Sequence, residues 1–245
     1  MSISLPVELE AIAEELNYEH GRLIYEGVGG NEVRRSILPG GVRVITEKMP
    51  GTRGVSIGFW VGVGSRDEAP GMLGSTHFLE HLLFKGTGTR TALDIASSFD
   101  AVGGESNALT AKEHTCYYAR VLDDDAPMAV DVITDMVTNA LLDPAHLEQE
   151  RGVILEEIAM DQDDPTDVAF ENFVDQLMGE NPLGRPIGGT PQEITEVPRD
   201  AVWEHYKRYY TPDRLVISAA GSLEHSTMVR LVLEALTRYG WNLQE

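Results

Sequence analysis

Three short runs of apolar residues near the start of the chain have the length and composition of β-strands. They cover Val33–Leu38, Val42–Glu47 and Val55–Val63, and β-branched residues are frequent in them. Pro39-Gly40-Gly41 separates the first two runs and is typical of a hairpin turn. Antiparallel pairing of these runs is the simplest topology that the pattern predicts.

The spacing of apolar residues becomes helical after the third run. Segments around Gly74–Lys85 and Thr91–Val102 are predicted to be helices, because they end at Gly86 and at Gly103-Gly104, as glycine C-caps would end them. The later predicted elements are strands at Glu105–Thr110, His114–Val121 and Leu215–Ala220, and helices after Pro127 through Ala140, from Asp143-Pro144 to about Asp161, and near Asp167–Met178, Pro191–Thr195, Arg199–Tyr209 and His225–Thr237.

The order of these elements predicts the fold class. Strands come first and last with helices between them, so we expect one α+β domain with a mainly antiparallel sheet and helices packed on one face. This domain is expected to cover residues 31–245. Residues 1–30 are expected to form an acidic N-terminal arm, a helix followed by a turn at Gly27, Gly29 and Gly30.

Composition indicates a globular protein and argues against some partners. The chain has 245 residues, of which 42% are hydrophobic, and this is enough for a sizeable core. It carries 40 acidic and 19 basic residues, a formal net charge of −21. This charge argues against binding to nucleic acid or to an anionic membrane surface. A basic ligand would fit better, although acidic surfaces also simply keep proteins in solution.

Two further features bear on cellular location. Cys116 is the single cysteine, so no intrachain disulfide can form and a reducing compartment is expected. The longest apolar run, Val55–Gly64, is too short to span a bilayer, and the first residues lack the basic and apolar regions of a signal peptide. We therefore expect a cytoplasmic protein without membrane insertion.

The candidate chemistry lies in the first predicted helix, which contains the sequence HFLEH at residues 77–81. Residues three and four positions apart share a helix face, so His77 and His81 can converge on one point with Glu80 beside them. H-x-x-E-H is a known zinc-binding signature, and a catalytic zinc takes three protein ligands and leaves one position open. The alternative is a set of partly exposed polar residues on an amphipathic helix, since short motifs also occur by chance.

A third ligand can come from the helix predicted to begin at Pro144. Glu150 and Glu157 are seven residues apart and therefore lie on nearly the same helix face, whereas Glu156 is rotated by about 100° from Glu157. Apolar neighbours of these residues indicate that much of the helix is buried. A solvated acidic face is the alternative interpretation of this pair.

Three separated motifs give the chain a family resemblance. HFLEHLLFKGT, GGESNALTAKEHTCYYARV and ERGVILEEIAM follow one another in this order, and together they resemble the pitrilysin family of zinc peptidases. The likeness is closest to the mitochondrial processing peptidase and its bacterial relatives, and it extends from about Val33 to the C-terminus. The chain looks like the N-terminal domain of such a protein, and the family's α+β fold agrees with the predicted elements.

The resemblance also implies roles for individual residues. His77, His81 and Glu157 are expected to bind one Zn²⁺ per chain, and Glu80 is expected to be the catalytic general base. Glu150 is expected to support the site from outside the ligand set. These roles imply a metalloendopeptidase that hydrolyses peptides or unfolded polypeptides.

Substrate peptides of the family lie extended along a sheet edge. By resemblance that edge is the segment Ser106–Thr110, with Asn107 and Ala108 nearest the scissile bond, and the peptide would bind by β-strand addition. The residues alone leave open that this segment is an ordinary inner strand.

Family members usually contain a further domain of the same type, which helps to complete the site. A C-terminal half or a homologous subunit is therefore an expected partner. The alternative function is that of a non-catalytic scaffold or binding subunit in a processing-peptidase-like complex. Such subunits typically lack part of the metal motif, which this chain retains in full, so the sequence favours the enzyme.

Overall fold

The computed structural model describes residues 16–241 together with residues 12, 14 and 243. The strands in this part of the chain form one seven-stranded sheet in which a single neighbouring pair is parallel. The strands are β1 (Arg22–Glu26), β2 (Glu32–Ile37), β3 (Arg43–Lys48), β4 (Gly54–Val61), β5 (Glu105–Thr110), β6 (Thr115–Leu122) and β7 (Leu215–Gly221).

Several helices begin at capping residues that the sequence supplies. The side chain of Thr91 accepts the N–H of Asp94, and the side chain of Asp143 accepts the N–H of Ala145. No helix in the described part of the chain is both long enough and apolar enough to cross a bilayer. The helices after residue 70 are α1 (Ser75–Leu82), α2 (Ala92–Asp100), α3 (Ala126–Asn139), α4 (Pro144–Asp163), α5 (Pro165–Met178), α6 (Pro191–Glu196), α7 (Arg199–Tyr209) and α8 (His225–Arg238).

The strands lie in the order β1-β2-β3-β7-β4-β6-β5. β5 therefore forms one edge of the sheet, and β1 forms the other. β7 lies between β3 and β4, parallel to β3 and antiparallel to β4. This mixed but mostly antiparallel sheet, together with its helices, confirms the predicted α+β class.

The core lies between the sheet and the helices. Four alternate residues of β4, from Val55 to Val61, are almost completely buried, as the two-residue period of a strand requires. The residues between them, Ser56, Gly58 and Trp60, line an open groove on the opposite face. Because α1, α3 and α8 contact strands of the sheet through this core, the helices pack on one face, as predicted.

Two features of the sheet were not predicted. β1 is an edge strand within the segment assigned to the N-terminal arm, and backbone pairing with β2 holds it, while its mostly exposed side chains show no alternation. β7 separates β3 from β4, so the simple antiparallel order is wrong for these two strands. Local pattern carries no information about a partner strand from the far end of the chain.

The predicted helix of the arm falls largely on residues outside those that the structure describes. The division of the chain at residue 30 therefore stays a prediction. The other predicted strands and helices are present, with ends that agree or differ by at most a few residues.

His225, the first residue of α8, joins that helix to the sheet. Its Nε2 lies 2.7 Å from the hydroxyl oxygen of Ser36 on β2, and its Nδ1 lies 2.7 Å from the hydroxyl oxygen of Thr46 on β3. Burial, with a smaller contribution from Arg34, lowers the pKa of His225 from 6.5 to about 4. Between these two pH values the unfolded chain binds a proton that the folded chain does not, so stability falls as the pH falls from 6.5 to 4.

We predict that His225→Gln makes the fold less sensitive to acid. From pH 7 to pH 5 the wild type should lose up to about 2 kcal/mol more unfolding free energy than the variant, because one pKa unit corresponds to about 1.4 kcal/mol. Urea denaturation at the two pH values measures this difference. The exposed His20 provides the control His20→Gln, which should behave as wild type, and equal acid losses in all three proteins would contradict the prediction.

Candidate metal centre

α1 carries the HFLEH sequence, with its apolar residues in the core and its two histidines at the contact with α4. Phe78, Leu79 and Leu82 are buried in the core. Their helical spacing leaves His77 and His81 on the side where α1 packs against α4. The helix thus buries its apolar residues and presents both imidazoles to one neighbouring helix.

The first turn of α1 is held by a residue from outside the helix. Gly74 precedes the helix with a φ of +85°, and no side chain at that position caps it. The carboxylate of Glu68 accepts the N–H groups of Gly74, at 2.8 Å, and of Thr76, at 2.7 Å. Burial raises the pKa of Glu68 to about 7, although these N–H donors act in the opposite direction. The contact fixes the backbone immediately before His77.

Three side chains converge in the cleft between α1 and α4. Nε2 of His77 and Nε2 of His81 lie 3.2 Å apart, and Oε2 of Glu157 lies 3.7 Å from the first and 3.4 Å from the second. The two rings are nearly perpendicular, at 88°. Ligand atoms at about 2.1 Å from a tetrahedral ion lie about 3.4 Å from one another. The observed spacing therefore fits a single metal ion.

His77 has the protonation state that a metal ligand requires. Its pKa is lowered to about 4, mainly by burial and to a smaller extent by the neighbouring His81, while Glu157 acts in the opposite direction. The imidazole is therefore neutral at pH 7, the form that zinc binds. Its buried Nδ1 has no hydrogen-bond partner among the described residues, and the backbone of Gly188 lies so close that a Cβ there would be 3.5 Å from this atom.

Glu150 contacts the far side of the His81 ring. Its Oε2 lies 3.0 Å from Nδ1 of His81, and its side chain is 3% exposed. A hydrogen bond from Nδ1–H to this carboxylate leaves Nε2 of His81 free to face Glu157. Burial raises the pKa of Glu150, but Lys85 and His81 outweigh this effect and hold the pKa below its ordinary value.

Glu80 lies between the two histidines in the sequence and is partly buried. Its charge acts on Tyr117 and Tyr210, two buried tyrosines whose hydroxyl oxygens are 2.8 Å apart. Burial, with a smaller contribution from Glu80, keeps the pKa of both phenols above its ordinary value, while the hydrogen bond between them raises the pKa of Tyr117 and lowers that of Tyr210. Both phenols are therefore protonated at neutral pH. Nothing in the local sequence marked these tyrosines as neighbours of the site.

β5, which carries Asn107 and Ala108, forms the sheet edge beside α1. Asn107 lies opposite Tyr118 of β6, and Ala108 lies opposite Tyr117. The Asn107 side chain is exposed and accepts the N–H of Ala108 at 2.8 Å. Among the described strands β6 is the single neighbour of β5, so the segment is an edge strand and not an inner one.

The structure brings the predicted residues His77, His81 and Glu157 together and places Glu150 against His81. Besides the two tyrosines, it adds Lys85 and Glu68, which sequence analysis did not assign to the site. Lys85 could have been noticed because it follows His81 by four positions. The contact of Glu68 with the start of α1 has no comparable signal in the sequence.

Comparison with known families identifies the class of protein. Residues 43–191, more than half of the chain, match the family described as Insulinase (Peptidase family M16). The chain therefore belongs to this family of zinc proteases, which includes pitrilysin. The match confirms the resemblance inferred from the three motifs.

Individual relatives agree with this assignment. The chain is 51% identical over 214 residues to an uncharacterized zinc protease of Streptomyces coelicolor, a match that covers 87% of this chain and 46% of the relative. It is 35% identical over 207 residues to a probable mitochondrial-processing peptidase subunit beta of Arabidopsis thaliana, covering 84% of this chain and 39% of that protein. The chain thus spans about half the length, or less, of these relatives.

A solved structure supports the fold. The crystal structure of pitrilysin superposes with a TM-score of 0.80 at 20% sequence identity, covering 91% of this chain and 24% of pitrilysin. At this level of identity the likeness shows the fold alone.

Proposed function

We propose that this chain is the zinc-binding catalytic domain of an endopeptidase. The observation that carries the proposal is the convergence of His77, His81 and Glu157 at distances that suit one ion. Two imidazoles and one carboxylate are a donor set typical of catalytic zinc, whereas structural zinc sites are closed by four protein ligands. Glu157 is 44% exposed, so the cluster is open to solvent on one side, where a substrate could enter.

The surroundings of the cluster also fit zinc. The buried imidazole of His77 is neutral, and Glu150 orients His81 so that Nε2 points at the cluster. When bound there, one Zn²⁺ per chain would polarise the scissile carbonyl and lower the pKa of a water towards about 7.

Glu80 is proposed as the general base. It follows His77 by three positions on the same helix, and its carboxylate would accept a proton from the attacking water and return it to the leaving amine. The neighbouring Tyr117 and Tyr210 are protonated, so they add no negative charge beside this carboxylate.

The substrate is proposed to be a peptide or an unfolded polypeptide in extended conformation. β5 is an edge strand next to α1, and an edge strand can pair with an extended peptide through backbone hydrogen bonds. Asn107 and Ala108 would lie nearest the scissile bond. A segment whose backbone groups are already paired within a folded substrate is not available for this pairing, so flexible segments are the proposed substrates.

A second domain is proposed to complete the active enzyme. The chain spans 46% of its Streptomyces relative, and Glu157 is open to solvent. A C-terminal half or a homologous subunit could cover this open side. Activity is therefore to be measured for the chain alone and for the chain combined with such a partner.

We predict that Glu80→Gln abolishes peptide hydrolysis and leaves zinc binding intact, because a carboxamide cannot accept the proton but does not alter the ligands. A quenched fluorescent peptide assay measures turnover, and elemental analysis measures zinc. General-base catalysis contributes typically 10²–10⁴-fold, so the loss should be at least about 100-fold. Turnover at the wild-type rate would remove Glu80 from the mechanism.

His77→Ala is the matched comparison for this test. It should lose zinc as well as activity, because one of three ligands is gone. A variant with unchanged zinc content would refute the ligand role of His77. Zinc-loaded wild type that cleaves no peptide, with or without a partner, would instead favour the scaffold function.

The structure also favours basic peptides as substrates. A groove of about 400 Å³ lies next to the cluster, lined by Gly188 and by Asp161, Asp167 and Glu171. Gly188 lies beside His77, since a Cβ at this position would be 3.5 Å from Nδ1 of His77. The three carboxylates can attract a Lys or Arg side chain of a bound peptide.

We predict that peptides with Lys or Arg near the scissile bond are cleaved faster than their Gln counterparts at low salt. The preference should decrease with added salt and in the double variant Asp167→Asn, Glu171→Gln. Asp124→Asn is the control, because this exposed residue lies in a different acidic tract. Ratios of kcat/KM measure the preference, and equal ratios in wild type and double variant would refute it.

A further inference from the structure

We propose that Lys85 is a positioning residue of the metal centre, which acts through Glu150 on His81. The inference rests on the proposed function, since it concerns how the chain holds zinc. It assigns a role to a side chain that touches neither ligand atoms nor substrate.

The two oxygens of Glu150 have different partners. Oε2 lies 3.0 Å from Nδ1 of His81, and Oε1 lies 2.8 Å from Nζ of Lys85. No described residue donates a well-aligned hydrogen bond to Oε1, so the ammonium group acts on this oxygen as an ion-pair partner. The carboxylate therefore spans the space between a lysine and a ring nitrogen.

Burial makes this ion pair important for the position of the carboxylate. The side chain of Glu150 is 3% exposed, whereas that of Lys85 is 32% exposed. A buried carboxylate is stable where its charge is balanced and its oxygens have partners. Without Lys85 the buried charge of Glu150 would be less well balanced, so we expect its side chain to rotate towards water. Such a rotation would remove the acceptor from Nδ1 of His81.

The backbone fixes the place from which Lys85 reaches Glu150. Lys85 is the last residue of the helical turn that follows α1, and the next residue, Gly86, has a φ of +131°. The next residue, Thr87, donates its hydroxyl hydrogen to the buried carboxylate of Asp135 on α3, at 2.6 Å. Arg90 binds the same carboxylate at 2.7 Å. The loop after Gly86 is thus anchored to α3. Lys85 lies between this loop and α1 and is held beside Glu150.

The positive charge of Lys85 by itself affects zinc affinity in the opposite direction to the proposed positioning role. An ammonium group near a cation site repels the cation, so its removal would by itself strengthen zinc binding. Loss of the contact that orients a ligand weakens zinc binding, typically by 10–100-fold for a direct partner of the ligand. Weaker binding after removal of the positive charge therefore identifies positioning through Glu150.

The experiment compares Lys85→Met and Lys85→Arg with wild type. Zinc dissociation constants are measured by competition with a chelator, with Lys207→Met as the matched control, since Lys207 also pairs with a glutamate but on the exposed face of α7. Lys85→Met should bind zinc about tenfold more weakly. Lys85→Arg should restore nearly wild-type binding, and Lys207→Met should have no effect.

A second readout separates positioning from general stability. Two-dimensional ¹H–¹⁵N NMR of the zinc-free protein reports which imidazole nitrogen of His81 carries the proton. Wild type and Lys85→Arg should show the Nδ1–H form, and Lys85→Met should show a mixture. In a Glu150→Gln background, Lys85→Met should no longer weaken zinc binding, because the intermediate partner has been changed.

The outcomes distinguish this inference from the proposed function. Wild type that binds no zinc refutes the proposed function, while the His81 tautomer still tests Lys85. Wild type that binds zinc, with Lys85→Met binding it equally or more tightly and with an unchanged tautomer, overturns the role of Lys85. If Lys85→Met does not fold, Lys85→Gln replaces it under the same criteria.

Discussion

The antiparallel contact between α1 and α4 is the interaction on which the site depends. His77 meets Glu157, and His81, one turn later, meets Glu150, which precedes Glu157 on α4, so the two helices run in opposite directions along a shared face. Leu79 of α1 and Ile154 of α4 are fully buried in the same core, and burial of such side chains stabilises the contact by about 1.5–3 kcal/mol each. Apolar packing thereby brings together charged groups that would not otherwise approach one another.

The charge states of the side chains at this contact determine whether it can bind a metal ion. The imidazole of His77 is neutral because it is buried, and the carboxylate of Glu150 stays charged because Lys85 and His81 face it. Glu157 remains partly exposed. The cluster is therefore held by Glu150 on the His81 side and open to solvent on the Glu157 side. The open side agrees with the proposed catalytic role, since structural zinc sites are closed by four protein ligands.

The arrangement within α1 could be predicted from local spacing. His77 and His81 are four residues apart, and helical periodicity alone places them on one face. The pairing with Glu157 came from the family resemblance, because no local pattern links residues on two distant helices. The insertion of β7 was missed for the same reason, because β3 and β4 are far from β7 in the sequence. β1 was missed because its mostly exposed side chains show no alternation. The contact of Glu68 is local, but a carboxylate that caps a helix from outside its first turn leaves no recognisable spacing.

The central claim is that one zinc ion binds between α1 and α4. An anomalous-scattering map, recorded at the zinc absorption edge from crystals grown with zinc, tests it directly. The account predicts one peak per chain, at about 2.0–2.2 Å from Nε2 of His77, Nε2 of His81 and a carboxylate oxygen of Glu157. A peak that lies elsewhere, or one that Glu157 does not reach, would contradict the account.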